Sequence, residues 1–84
     1  MLYETRKEAE VIASGDAVLQ VEGGYIIVDW KEAFERIEEE AYDLYQRGYR
    51  SYDRDKLMTC FGYDLEHTES LCIELKDIEN MENE

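Results

Sequence analysis

The clearest structural signal in the chain is the stretch DAVLQVEGGYIIVD at residues 16–29. Two apolar, alternating segments flank a Gly-Gly pair, which can adopt the positive φ values that a two-residue hairpin turn requires. With these glycines as the loop, the predicted register pairs Val21 with Ile26 and Leu19 with Val28. Alternation then places one apolar set on a single face: Ala17, Leu19, Val21, Ile26 and Val28. The stretch therefore predicts a β-hairpin with an apolar face.

Capping signals on both sides of this stretch predict helices around the hairpin. Thr5 and Glu8 fit a capping box, which predicts a short helix from about residue 6 to about residue 14. Asp29 and Glu32 fit a second capping box, which predicts a long helix to about residue 47. At 100° per residue its apolar positions form one stripe that we expect to be buried: Trp30, Ala33, Phe34, Ile37, Ala41, Leu44 and Tyr45.

The last third of the chain admits two interpretations. A cap at Asp53 or Asp55 predicts a short helix that ends at Gly62, followed by a final helix from about residue 65. Alternatively, residues 70–76 alternate like a third strand. Helices are favoured, because Glu, Leu, Lys and Asp dominate this segment and β-branched residues are few.

The predicted fold class is therefore α+β, with residues 1–84 forming a single small domain. Its expected order is a helix, a Gly-Gly hairpin, a long acidic helix and one or two short C-terminal helices. We expect residues 80–84 to be a frayed acidic tail.

Charge excludes several classes of partner. The 84 residues include 22 Asp plus Glu against 9 Lys plus Arg, a formal net charge of −13. A field of this sign repels nucleic acids and anionic membrane surfaces, so we expect the chain to bind neither directly. A hydrophobic content of 44% is nevertheless too high for a disordered acidic tail. Only two cysteines are present, so we expect free thiols and a cytoplasmic location.

Catalytic and metal-binding patterns are weak. Cys60, His67 and Cys72 supply three of the four ligands that zinc needs, at irregular spacing. Asp53 and Asp55 resemble the start of a calcium loop, but Met58 stands where that loop requires glycine. No nucleophile elbow or phosphate-binding glycine loop is present. We therefore expect a non-enzyme without a cofactor, in which His67 is a solvated surface histidine.

The predicted long helix presents an acidic face. Glu32, Glu35, Glu39 and Asp43 recur on the side opposite the apolar stripe, and Glu38 flanks that stripe. Their spacing along the axis, roughly 4–6 Å per charge at a rise of about 1.5 Å per residue, resembles the charge density of a nucleic-acid backbone. A solvated outer face would explain the same pattern. The scarcity of compensating bases favours a binding surface, because uncompensated repulsion opposes folding.

In size, charge and element order the chain resembles small acidic proteins of phages and mobile elements, and among them anti-CRISPR proteins that act as DNA mimics. The residues behind the resemblance are Thr5-x-x-Glu8, Val21-Glu22-Gly23-Gly24-Tyr25 and the acidic run from Glu32 to Asp43. The resemblance implies an inhibitor in the cytoplasm of a bacterial host. Its partner would be a basic nucleic-acid-binding protein, namely a CRISPR effector whose DNA-binding groove the inhibitor occupies.

The resemblance also implies roles for individual residues. Glu32, Glu35, Glu39 and Asp43 would stand in for phosphates, with Glu38, Asp53 and Asp55 extending the patch. Tyr42 and Tyr49 would supply a desolvated aromatic anchor. Three alternatives stay open: an acidic inhibitor of another host nuclease or defence protein, a self-associating structural module, and a small metal-dependent enzyme or metal-binding protein. Whether the chain is a monomer or a dimer also stays open.

Overall fold

The computed structural model describes residues 1–49 and 53–82, and these form four helices and a two-stranded antiparallel hairpin. The elements in chain order are α1 (Arg6–Ala13), β1 (Ala17–Val21), β2 (Gly24–Val28), α2 (Trp30–Gln46), α3 (Arg54–Phe61) and α4 (Leu65–Glu82). This order confirms the predicted α+β class and element sequence. None of the described helices is both long and apolar enough to cross a membrane.

The chain folds into two compact units, Met1–Glu35 and Arg36–Glu84, with the boundary inside α2. Each unit has its own set of buried side chains. In the first unit these are Ala9, Ala13, Ala17, Leu19 and Ala33. In the second unit the largest fully buried side chains are Leu57, Leu71, Leu75 and Thr68. That residues 1–84 are a single domain stays a prediction.

In the first unit, α1 packs against both strands of the hairpin. The Thr5 side chain accepts the Glu8 N–H, as the capping box predicts. Small side chains at Ala9 and Ala13 face inward and let the helix approach the sheet closely. The helix ends where Ser14 adopts a left-handed conformation, with a φ of 49°.

The hairpin register differs from the predicted one by two residues. Leu19 lies opposite Ile26, and Val21 lies opposite Gly24. The two-residue loop is therefore Glu22-Gly23 and not the Gly-Gly pair, and Gly23 supplies a positive φ of 92°. A shift by two residues preserves side-chain alternation, so the predicted apolar face is correct although the predicted pairs are wrong.

A segment before α1 explains why position 24 is a glycine. Tyr3 forms an isolated bridge to Tyr25, with reciprocal backbone hydrogen bonds of 2.9 Å. A Cβ atom at Gly24 would collide with the Tyr3 carbonyl oxygen. The second glycine therefore leaves room for the N-terminal segment beside β2, while the first makes the turn.

In the second unit, both C-terminal elements are helices. Asp53 caps α3, and Gly62 ends it in a left-handed conformation with a φ of 72°, as predicted. Helix α4 spans 18 residues, so the alternative third strand at residues 70–76 is wrong, and this helix is not short. Helix α4 also includes residues 80–82, where a frayed tail was expected, and residues 83–84 lie outside the described part.

Candidate functional site

The predicted phosphate-mimicking carboxylates are all on the surface. In the first unit, Glu32 and Glu35 are exposed in the first turns of α2. In the second unit, Glu38, Glu39 and Asp43 are exposed on the rest of that helix. Among the described residues, Glu35, Glu38 and Glu39 have no cationic partner. These three side chains are therefore available to bind a cation.

Asp43 and Asp53 already have partners within the chain. The Asp43 carboxylate forms a 3.0 Å ion pair with Arg47 one turn later. The Asp53 carboxylate accepts the N–H groups of Asp55 and Lys56 at the start of α3. Asp53 therefore has a structural role that the predicted binding surface did not include, whereas Asp55 is exposed in the first turn of α3.

Carboxylates of α2 and α4 crowd one another in the second unit. Partial burial raises the pKa of Glu74, and the nearby charges of Glu38 and Asp77 raise it further. A raised carboxyl pKa means that the negative form is disfavoured at this place in the fold. The sequence pattern of α2 alone did not include Glu74, because only the fold brings this carboxylate near Glu38.

The two predicted tyrosine anchors differ in their surroundings. Tyr42 is 52% exposed. Tyr49 is half-buried, and its ring meets Phe61 edge-on at a centroid distance of 5.9 Å. Phe61 in turn stacks on Tyr63 at 5.6 Å. Tyr49 therefore belongs to a partly exposed aromatic cluster of the second unit, and its role as an anchor stays a prediction.

A partly buried polar cluster in the second unit was not predicted from the sequence. His67 is only 2% exposed, so its expected position on the surface is wrong. The His67 Nε2 atom lies 3.0 Å from one oxygen of Glu40, and the Tyr63 hydroxyl donates to the other oxygen. The Tyr63 ring also covers the His67 imidazole, with 4.5 Å between centroids. We call these three residues the Glu40 cluster.

The electrostatics of the Glu40 cluster favour a charged carboxylate. Burial by itself raises the pKa of Glu40, but the hydrogen bonds from His67 and Tyr63 outweigh it and lower the pKa below its ordinary value of 4.5. Burial and the neighbouring carboxylate raise the pKa of Tyr63, which therefore remains a hydroxyl donor. This arrangement provides hydrogen-bond donors to a partly buried carboxylate and gives the cluster a structural role.

One sequence signal could have located His67. The buried residues of α4 recur at helical spacing, and His67 stands one turn before Leu71 and two turns before Leu75. If Leu71 is taken as the centre of the buried face, the helical period predicts that His67 is also buried. The identity of its partner could not be predicted, because Glu40 lies 27 residues away.

The structure gives no sign of a metal centre in residues 1–49 and 53–82. No group of three or more His, Cys, Asp or Glu side chains in these ranges is placed to hold a metal ion. Cys72 is buried on α4, whereas Cys60 is exposed on α3. Burial raises the pKa of the Cys72 thiol, which favours its neutral, unreactive form.

An exposed aromatic pair lies in the first unit, where the sequence predicted buried side chains. Trp30 and Phe34 are 55% and 59% exposed, and their ring centroids are 6.0 Å apart. The Trp30 indole N–H donates to the Gly15 carbonyl oxygen at 2.7 Å. The neighbouring position of the stripe, Ala33, is buried as predicted. The predicted stripe is therefore correct at Ala33, and also at Ile37, Ala41 and Leu44, which are buried, and it is wrong at Trp30 and Phe34.

Comparison with models of known protein families, with curated proteins and with solved structures finds no match to this chain.

Proposed function

We propose that the protein is an acidic inhibitor of a basic nucleic-acid-binding protein, and that this partner is a CRISPR effector whose DNA-binding groove it occupies as a DNA mimic. The main supporting observation is that Glu35, Glu38 and Glu39 are exposed on α2 with no cationic partner among the described residues. The proposal places the protein in the cytoplasm of a bacterial host cell, where such an effector acts.

Crowded carboxylates favour binding because they oppose folding. Residues 36–84 contain 14 acidic and 6 basic residues, a net charge of −8. Repulsion of this kind reduces the stability of the free protein. A partner that places Arg or Lys among the carboxylates would relieve the repulsion and form charge-assisted hydrogen bonds. Stability that is lost in the free chain would thus be recovered in the complex.

The roles of individual residues follow from their surroundings. Glu35, Glu38 and Glu39 would accept hydrogen bonds from the partner's cations, since no described residue neutralises them. Glu32 and Asp55 would extend this exposed set. Asp43 would contribute less, because binding would have to replace its ion pair with Arg47. Tyr42, which is exposed, would make apolar contact beside these charges.

The proposal is tested by measuring binding to a panel of guide-loaded CRISPR effector nucleases, with target DNA as the competitor. We expect binding that target DNA displaces and that weakens strongly between about 50 mM and about 500 mM salt. The double variant Glu38→Lys/Glu39→Lys should weaken binding at least about tenfold, because two acceptors become repulsive cations.

A matched control separates the surface from the overall charge. The double variant Glu4→Lys/Glu22→Lys changes the net charge by the same amount through residues of the first unit, outside α2. It should bind almost as well as the unmodified protein. Equal losses in both variants would contradict a localised surface, and no binding to any effector would overturn the proposed target.

A further inference from the structure

Trp30 and Phe34 form an exposed aromatic pair in the first unit. The indole N–H of Trp30 already donates a hydrogen bond within the chain, whereas both rings remain exposed to solvent. Trp30 and Phe34 lie one turn apart on α2, and their rings are tilted by 36°. Each is more than half exposed. Large aromatic side chains exposed together in this way are typical of binding surfaces.

The fold holds the Trp30 ring in place before any partner binds. Its N–H donates to the Gly15 carbonyl oxygen, and Gly15 has a positive φ of 98° directly after the left-handed Ser14. The loop that ends α1 therefore orients the acceptor. A partner would need no hydrogen-bond acceptor for the indole, and little side-chain entropy would be lost on binding.

Charge around the pair indicates the kind of partner. From position 29 to position 35 there are three acidic residues and one basic residue, Lys31. Residues 1–35 as a whole contain 8 acidic and 3 basic residues, a net charge of −5. A guanidinium group suits such a place, because its planar face stacks on aromatic rings while its N–H groups bind carboxylates.

We propose that the Trp30–Phe34 pair is the apolar anchor of the partner interface, and that it receives a segment of the basic partner in which arginine alternates with apolar side chains. This inference rests on the function proposed above.

A second copy of the chain fits the pair less well. Two copies would bring together net charges of −13 each. The open area of the two rings is also small, roughly 200 Å², against about 800 Å² on each partner of a stable interface. The pair is therefore suited to anchor a larger, oppositely charged surface.

The inference can be tested with intrinsic fluorescence, because Trp30 is the only tryptophan in the protein. The probe is a synthetic amphipathic helix of Leu and Arg, compared with the same helix carrying Lys or Glu in place of Arg. We expect the Leu/Arg helix to shift Trp30 emission, the Leu/Lys helix to bind more weakly, and the Leu/Glu helix not to bind.

Two variants locate the site. Phe34→Ala should weaken binding of the Leu/Arg helix at least about tenfold. Phe34→Leu keeps an apolar side chain at that position and should retain part of the affinity, which guards against a folding defect in the alanine variant. Ile73→Ala is the control, since Ile73 is an apolar residue of the second unit that is 61% exposed, and its loss should leave binding unchanged.

Several outcomes would overturn the inference. One is unchanged Trp30 emission with the Leu/Arg helix, and another is equal binding of the Leu/Glu helix. A third is a concentration-dependent emission shift of the protein alone with a doubled mass, which would assign the pair to a second copy. If Phe34→Ala keeps full affinity for an effector while Glu38→Lys/Glu39→Lys loses it, the anchor fails and the proposed function stands.

Discussion

At the residue scale, the contrast between Glu39 and Glu40 shows how adjacent carboxylates acquire different roles. Glu39 is exposed, and its carboxylate has no cationic partner among the described residues. Glu40 accepts hydrogen bonds from His67 and from Tyr63. A helix rotates by about 100° per residue, so one position points to solvent while the next reaches the interior. The first suits binding, and the second stabilises the fold.

Replacing Glu40 should therefore destabilise the second unit. Glu40→Ala leaves two donors without their acceptor, which should lower the free energy of unfolding by about 1–3 kcal/mol. Glu40→Gln keeps one acceptor oxygen and should cost about 1 kcal/mol. Glu39→Gln is the matched control and should change stability by less than about 0.5 kcal/mol. Urea denaturation followed by circular dichroism would measure all three, and an equal effect of Glu39→Gln would contradict the assigned role.

The same experiment has a defined pH dependence. Because hydrogen bonds hold the pKa of Glu40 below 4.5 in the folded chain, the carboxylate stabilises the fold at pH values above 4.5. That contribution is lost as the pH falls through the lowered value. The stability difference between the unmodified protein and Glu40→Gln should therefore be full at pH 7 and should shrink below pH 4.5.

At the scale of the elements, local capping determines where helices begin. Thr5 at α1 and Asp53 at α3 each accept backbone N–H groups of the first turn. At α2 the Asp29 carboxylate accepts the Glu32 N–H at 2.7 Å. The Asp64 carboxylate similarly accepts the His67 N–H at the start of α4. Each of these acceptors can be read from the sequence because cap and helix are adjacent.

Asp53 separates a capping role from a binding role. Asp53→Ala removes the acceptor for the Asp55 and Lys56 N–H groups and should lower the free energy of unfolding by about 1 kcal/mol. Asp55→Ala removes a neighbouring carboxylate that is not the cap and should have a smaller effect. Hydrogen exchange of the α3 amides would localise the loss. If both variants left exchange unchanged, the capping role would be refuted.

At the scale of the whole molecule, charge opposes stability. The net charge of −13 is not balanced within the chain, and Glu74 shows the local consequence. Its charged form is disfavoured by burial and by Glu38 and Asp77, so ionisation of this group costs stability at neutral pH. The cost disappears as the pH falls through the raised pKa, which is the opposite of the behaviour of Glu40.

Added salt and neutralisation of Glu74 should both stabilise the protein. Raising the salt concentration from about 50 mM to about 500 mM should raise the urea midpoint, because screening weakens repulsion between surface carboxylates. Glu74→Gln should increase stability at pH 7 by up to about 0.5 kcal/mol, and by less at high salt. Glu39→Gln removes the same charge without the crowding and is the control. A Glu74→Gln protein that is less stable than the unmodified one would contradict this explanation.

Adjacent residues in the sequence determined the local features of this protein. The caps at Thr5, Asp29 and Asp53 marked where helices start, and alternation in β1 and β2 identified the apolar face of the hairpin. The caps depend on backbone groups within three or four positions of the capping side chain. The apolar face depends on the two-residue period of a strand, which a register shift of two residues leaves unchanged. For that reason they were predictable.

Only the tertiary structure decided the features that join distant positions. The bridge between Tyr3 and Tyr25 leaves no space for a Cβ atom at Gly24. The turn next to it is formed by Glu22 and Gly23, one residue before the predicted Gly-Gly loop. The buried His67 is paired with Glu40, 27 residues away, and Trp30 and Phe34 are exposed although the helical period placed them on the apolar stripe. The spacing of apolar residues predicts which side chains share one face of a helix, but it does not predict what packs against that face.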